Sequence, residues 1–366
     1  HYWRGGDDAK TWVFSRMAGD RAARAYANVD AAVLYERALD AAKKLPDVTD
    51  EQRLDLLRLL AQVREHAGLY DKALDALRAA LALARDDALN AASILRHRAQ
   101  VRQRAGSYTA ALSELRRAEK LLAADSGLEA RRTKVRLESV RVSIRIEQER
   151  LAEVGRLAGR LQDEAREVED FESLAQALAM LDAVDSQRGD LDVGARTLEA
   201  IDLMRGTGNL HRVFIGYMNL GVYRFLSGQW DEAIEYYRKG QEAATSVGDT
   251  AGAAVVTTNL AELLIYLGRL DEADEALAEA VRVLRVSGVL GYAVYGELQR
   301  ARAALARGDA AGAVALAEAV EQESLGQGQR ETAVEASLVR EQALTQQGSA
   351  ADSLELLARI NGEGVE

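Results

Sequence analysis

A signature returns along this chain about every 40 residues, and no other feature restricts its fold as tightly. A turn residue, usually Gly, is followed two positions on by an apolar or aromatic residue and three further on by a small one. It reads Gly68-Leu69-Tyr70-Asp71-Lys72-Ala73, Gly106-Ser107-Tyr108-Thr109-Ala110-Ala111, Gly189-Asp190-Leu191-Asp192-Val193-Gly194, Gly228-Gln229-Trp230-Asp231-Glu232-Ala233, Gly268-Arg269-Leu270-Asp271-Glu272-Ala273 and Gly308-Asp309-Ala310-Ala311-Gly312-Ala313. Weaker copies begin at Ala27, Glu149 and Gly348, so that successive starts lie 38–43 residues apart. With 366 residues the chain exceeds the roughly 250–300 at which a single core stops growing. A repeat array removes that limit, because each unit adds its own interface to the next.

Each copy is read as a helical hairpin. The glycine ends one helix in a left-handed conformation that a residue with a β-carbon adopts only at a cost. The Asp or Asn that follows is expected to cap the next helix. The small residue, Ala73, Ala111, Ala233, Ala273 or Ala313, falls where the two helices approach most closely. Apolar residues at helical spacing flank the turn, as Leu220, Tyr223 and Leu226 before Gly228 and Ala233, Ile234 and Tyr237 after it. A single Pro and 5% aromatic residues leave little material for sheet and its turns, whereas abundant Ala, Leu, Glu and Arg favour helix. The expected class is all-α.

These residues resemble the tetratricopeptide repeat. The fullest copy runs from Tyr217-Met218-Asn219-Leu220-Gly221 through Gly228-Gln229-Trp230-Asp231-Glu232-Ala233-Ile234-Glu235-Tyr236-Tyr237, and Asn259-Leu260-Ala261 through Ala273 is close behind. Two departures stand out: the period is about 40 rather than 34, and the proline that ends the standard repeat is missing. Connectors such as Gly208-Asn209 and Gly248-Asp249 replace it, as in a long-repeat branch found in signalling proteins. Copies between 130 and 200 are poor, which leaves the register there open. The resemblance implies a right-handed α-α superhelix, a tetratricopeptide-like solenoid of eight or nine hairpins. Residues 1–45 are expected to form a helical junction with a first degenerate repeat, and residues 46–366 the repeat array.

A second, local resemblance covers the opening. His1-Tyr2, Gly6-Asp7, Ala18-Gly19-Asp20-Arg21-Ala22, Tyr26-Ala27-Asn28 and Ala31-Ala32-Val33-Leu34-Tyr35-Glu36-Arg37-Ala38-Leu39 look like the junction after the nucleotide-binding domain of large bacterial STAND-type signalling ATPases. That group includes multidomain class III nucleotide cyclases and transcription activators similar to the maltose regulon activator. The likeness implies that an ATPase and a cyclase or DNA-binding domain lie upstream. The chain also begins without Met inside a helical pattern, and is expected to be part of a longer protein.

Chemistry is sparse. Cysteine is absent and only four histidines occur, His1, His66, His97 and His211, which removes thiolate catalysis, disulfides and sulfur-ligated zinc. No phosphate loop, His-Glu-x-x-His or Gly-x-Ser-x-Gly motif is present. Gly206-Thr207-Gly208 reads as a helix connector, and the acid pairs Asp7-Asp8 and Asp86-Asp87 fall at helix starts, where capping accounts for them. The chain is expected to be non-catalytic, with no cofactor and no metal. It has no apolar run of about 18 residues and no signal-peptide pattern, so a cytoplasmic location without membrane contact is expected.

In a tetratricopeptide array the first helices of successive repeats line the concave groove. Counting back from each turn glycine along one helical face yields Arg58, Gln62 and His66, then Arg96, His97, Gln100 and Gln103, a polar and basic stretch. The same count further on yields Met218, Asn219, Val222 and Phe225, then Thr258, Asn259, Glu262 and Ile265, an apolar stretch with isolated amides. Asn219 and Asn259, one repeat apart, are suited either to bonding the backbone of an extended peptide or to bonding a neighbouring helix. Tyr223, Tyr266, Tyr292 and Tyr295 either line the groove or fill the core between repeats, and His66 and His97 either read ligand charge or are merely solvated.

Charge is unevenly spread. Residues 1–166 hold 31 basic and 25 acidic side chains, a net +6, and residues 167–366 hold 16 and 33, a net −17. Arginine is dense from Arg96 to Arg145, but no aromatic residue occurs from 109 to 170, so the stacking partners of a nucleic-acid surface are missing. That stretch is read as a solvated face or as a dock for an acidic surface. The sequence thus points to a sensor or protein-interaction module that binds a peptide, protein or small effector in its groove and regulates an ATPase, cyclase or transcription-regulator domain. A small-molecule sensor and a stand-alone scaffold are the competing readings.

Overall fold

The computed structural model describes residues 2–24 and 27–347, which form seventeen helices and, among the described residues, no strand. In chain order these are α1 (Asp8–Arg24), α2 (Asn28–Ala42), α3 (Asp50–His66), α4 (Tyr70–Leu83), α5 (Ala88–Arg104), α6 (Tyr108–Leu121), α7 (Leu128–Glu147), α8 (Leu151–Glu167) and α9 (Phe171–Gln187). They continue as α10 (Ala195–Gly206), α11 (Leu210–Leu226), α12 (Trp230–Ser246), α13 (Thr250–Tyr266), α14 (Leu270–Val286), α15 (Leu290–Arg307), α16 (Ala310–Gly326) and α17 (Arg330–Gln346). Every turn copy from Ala27 to Gly308 lies between the two helices of one pair. The copy at Gly348 lies outside the described residues, as do His1 and Tyr26 of the opening segment.

The turns explain the cadence. From Gly208 to Gly328 a glycine with positive φ recurs every 20 residues, at 208, 228, 248, 268, 288, 308 and 328, both within and between hairpins. At Gly228 the glycine N–H donates to the Phe225 carbonyl (3.1 Å) and the Gln229 N–H reaches back to Arg224 (2.8 Å). This pair of bonds satisfies carbonyls the helix end would otherwise leave open, and it needs the left-handed residue between them. At two turns of the first half the left-handed residue is instead an acid, Glu149 (φ 58) and Glu169 (φ 55).

Capping departs from expectation. Leu69, Gln229 and Arg269 occupy the N-cap positions of α4, α12 and α14 and make no side-chain cap bond. Asp71, Asp231 and Asp271 sit one step inside those helices, where their charge favours the helix dipole without closing a cap. Within the hairpins Asp309 does cap, accepting from the Gly312 N–H at 2.9 Å. Most capping side chains lie between hairpins, at Thr49, Asp87, Asn209 and Asp249.

The copy at Gly189 also needs correction. Gly194, the small residue of that copy, is the N-cap of α10 at φ 122, and α10 does not begin until Ala195. A glycine offers no capping oxygen, and Asp182 on α9 supplies one. Its carboxylate accepts from the Thr197 N–H (2.7 Å) and hydroxyl (2.8 Å) and pairs with Arg196 (3.2 Å).

At the expected crossings, Ala73, Ala111, Ala233, Ala273 and Ala313 have no exposed surface. The chain divides into two compact units, His1–Leu181 and Asp182–Glu366. Within each, helices pack mainly on their sequence neighbours, and first helices of successive hairpins also touch: α5 with α7 in the first unit, α13 with α15 and α15 with α17 in the second. Among the described residues, second helices make no contact of that extent with one another. The first helices therefore crowd on one side of each unit, which makes that side concave and leaves the second helices outside. Each unit is an all-α, tetratricopeptide-like array.

Candidate functional site

The first unit holds a polar recess of about 350 Å³ on its first-helix face, between α3 and α5. Arg58, Gln62 and His66 reach it from α3, and Arg96, His97 and Gln100 from α5. The face counted from the sequence thus converges on one recess, with Gln103 outside the lining and donating to Glu147 at 2.6 Å. Arg58 is steadied by the Asn90 side-chain oxygen at 2.8 Å, and Asn90 by Asp87 at 2.7 Å. Arg96 bonds Gln100 at 3.2 Å. Burial, then the nearby Arg136 charge, pulls the Arg96 guanidinium below its ordinary pKa, against the opposing pull of Glu172 and Asp170.

Glu65 and Arg104 also line it, with Ser93 and Ile94, and were not foreseen. The buried Glu65 carboxylate meets His97 Nε2 at 2.8 Å and Arg104 Nε at 3.3 Å. Burial alone would raise its pKa, but the His97 hydrogen bond and the charges of Arg104, His97 and His66 outweigh it and hold the carboxyl below its usual value. Glu65 stands three residues before Gly68, as Gln103, Phe225 and Ile265 stand before their turn glycines, so a count kept strictly in register reaches Glu65 where His66 was taken.

The second unit holds a larger, mainly apolar recess of about 570 Å³. Phe225, Asn259 and Glu262 line it together with Val222, as do Tyr292 and Tyr295 from α15. Glu262 accepts from the Tyr295 hydroxyl at 2.7 Å. Burial first, and the Glu262 charge second, push the Tyr295 phenol well up, so it stays a neutral donor. Neither Asn219 nor Asn259 makes a side-chain hydrogen bond with another described residue. Met218 and Asn219 lie outside the lining, and Met218 packs against the core around Phe214 and Tyr237. Thr258, counted as a groove position, is fully buried and donates to Ala254 O at 3.0 Å, which makes it part of the core between repeats.

The aromatic residues divide. Tyr223 is core, its phenol raised by burial to about 12, whereas Tyr292 and Tyr295 face the recess and Tyr266 is exposed beside Phe225 at 5.4 Å between ring centres. Tyr237, Gly291 and Gln329 join the lining from a second helix, the start of α15 and the connector before α17. A count confined to one helix face does not reach them.

The dense arginines between 96 and 145 are mostly engaged inside the first unit. Arg98 and Arg117 hold the buried Glu114 at 2.6 and 2.8 Å, Arg136 holds Asp170 at 2.6 Å, and Arg141 pairs with Glu119 and Glu138. Some of these pairs lie within one helix, as Arg117 with Glu114 and Arg141 with Glu138, and others join neighbouring helices, as Arg98 with Glu114 and Arg141 with Glu119. No group of His, Cys, Asp and Glu suited to a metal, and no helix long and apolar enough to cross a membrane, is found among the described residues.

Residues 212–285 match the family model of the tetratricopeptide repeat. No curated protein is significantly similar in sequence. Among solved structures, a signal transduction ATPase with numerous domains (STAND) and a tetratricopeptide repeat sensor, from Pyrococcus horikoshii, has a TM-score of 0.63 at 13% identity over 91% of this chain and 52% of its own. This chain spans about half the length of that ATPase. The aspartyl phosphate phosphatase F of Bacillus subtilis gives 0.59 at 14% identity, covering 79% of this chain and 74% of its own. A Rap protein complexed with competence and sporulation factor gives 0.56 at 12%, covering 94% and 99%. At such identities the likeness is one of fold. The chain is a tetratricopeptide-like array that resembles in fold the STAND protein with its tetratricopeptide repeat sensor.

Proposed function

We propose that this array is the non-catalytic sensor of a larger bacterial signalling ATPase, acting in the cytoplasm. It takes a peptide, protein or effector on its concave first-helix faces and so controls an upstream ATPase, cyclase or transcription-regulator domain. The observation that carries this reading is the placement of both recesses on first-helix faces, where ligating side chains from successive hairpins converge. The sensor role of the repeat in the Pyrococcus ATPase and the factor bound by the Rap protein support it by analogy of fold. Because each hairpin contacts only its neighbours, a ligand that bridges two first helices changes their spacing, and small rotations add along a unit.

The test uses the parent protein. Removal of residues 46–366 is expected to abolish ligand-responsive nucleotide turnover, and full retention of the response would overturn the reading. A small-molecule effector is the second reading, favoured by the aromatic second recess, whose volume falls among those of ligand pockets. A metabolite screen read by melting temperature supports it if one compound raises the second unit's transition. A plain scaffold would instead show a stable protein partner, lost on Asn219→Ala with Asn259→Ala.

A further inference from the structure

The recess between α3 and α5 has a charge that its own residues do not balance. Arg58, Arg96 and Arg104 bring three cations and Glu65 one anion, a net +2 before either histidine is counted. Glu65 is already shared by Arg104 and His97. Among the described residues, neither Arg58 nor Arg96 has a carboxylate within ion-pair distance; their near partners are the amide oxygens of Asn90 and Gln100. Elsewhere in the same unit the partly buried arginines are matched with acids, as Arg98 with Glu114 and Arg141 with Glu138. Two guanidinium groups on adjacent helices, both at the recess and neither in a direct ion pair, suit an anion: Asp87 acts on Arg58, and Glu172 and Asp170 on Arg96, only from longer range.

We propose that this recess binds a phosphate-bearing small molecule, gripped by the Arg58 and Arg96 guanidinium groups. This deepens the reading of the first-helix faces as ligand-facing and rests on it. A phosphate group carries nearly two negative charges and several acceptor oxygens, which matches a net +2 and two planar donor forks. A single carboxylate carries half that charge and leaves one guanidinium unmatched. At about 350 Å³ the recess suits a small ligand, and the Gln62 and Gln100 amides offer donors and acceptors to its remaining polar groups.

The experiment is calorimetric titration of this chain with inorganic pyrophosphate, beside acetate. Saturable binding of pyrophosphate with none of acetate is expected, weakened about tenfold or more by Arg96→Met or Arg58→Met. It should be unchanged by Arg282→Met, whose exposed partner Glu279 lies in the other unit. The free Arg96→Met protein should melt no lower than the parent sequence, because an unmatched cation has been removed. Absence of saturable binding, equal weakening by Arg282→Met, or binding of a phosphorylated peptide without pyrophosphate would each overturn the proposal. So would a lowered melting temperature of Arg96→Met with binding intact, which marks a structural arginine. Failure here leaves control of the ATPase standing, since that is read in the parent protein by deletion.

Discussion

Glu149 and Glu169 hold the left-handed turn conformation that glycine takes at most other turns, at φ 58 and 55. For a residue with a β-carbon that conformation costs roughly 1–2 kcal/mol, and neither carboxylate is in an ion pair with a described residue to offset it. Glu149→Gly and Glu169→Gly are each expected to stabilise the protein by about 0.5–1 kcal/mol, the relief of strain less the added freedom of the unfolded chain. Urea unfolding midpoints check this, and a lowered midpoint in both variants would sink it. The turn at Glu149 was legible from spacing alone, but a turn without glycine gives no local signal of its φ. Glu65 works in the opposite direction. Its carboxyl is held below its usual value in the fold, so its stabilisation is complete above the unfolded value of about 4.3 and is lost as pH falls through the lower folded value. Glu65→Gln, which strips His97 and Arg104 of their anion, should cost about 2 kcal/mol at neutral pH. It should also lose less stability than the parent sequence between pH 5 and about 3, as read from unfolding midpoints at both pH values.

Between the helices of one hairpin, size is matched across the crossing. Gly221 on α11 faces Tyr237 on α12 so closely that an added β-carbon would lie 2.4 Å from the ring. One repeat on, Ala261 shares a core cluster with Leu277, and a further repeat on, Ala301 shares one with Ala317. As the residue on the second helix shrinks, the residue on the first helix grows from Gly to Ala. Alanine is normally favoured over glycine in a helix by about 1 kcal/mol, yet Gly221→Ala should destabilise by roughly 1–3 kcal/mol, because the added β-carbon forces the buried Tyr237 ring to shift. The double variant with Tyr237→Leu should recover most of the loss, reproducing the next repeat's pair, and no recovery would show the crossing is not set by this contact. The hairpins themselves were readable from the turn signature, a glycine, an apolar or aromatic residue two on and a small one three further, which repeats with the period. The helix start at Ala195 was not readable, since its cap comes from Asp182 on another helix.

At the scale of the whole chain, the uneven charge was legible as a sum but not as a surface. Many of the 31 basic side chains of residues 1–166 are spent on acids such as Glu114 and Asp170, and Arg58 and Arg96, which have no ion pair, gather at one recess. Which of many arginines are spent depends on which helix faces which, and that order is fixed by the array rather than by any one segment. The same order governs how damage spreads. Contacts in each unit run between successive helices and between first helices of successive hairpins, so stability is close to a sum of local terms and falls off along the chain from any weak point. Gly221→Ala is therefore expected to speed amide hydrogen exchange most in α11 and α12, less in α10 and α13, which touch them, and not measurably in α5 and α6. Exchange that rises equally in α5 and α11 would show that the chain opens as one cooperative body, and a ligand-driven rotation would then have no local interfaces along which to accumulate.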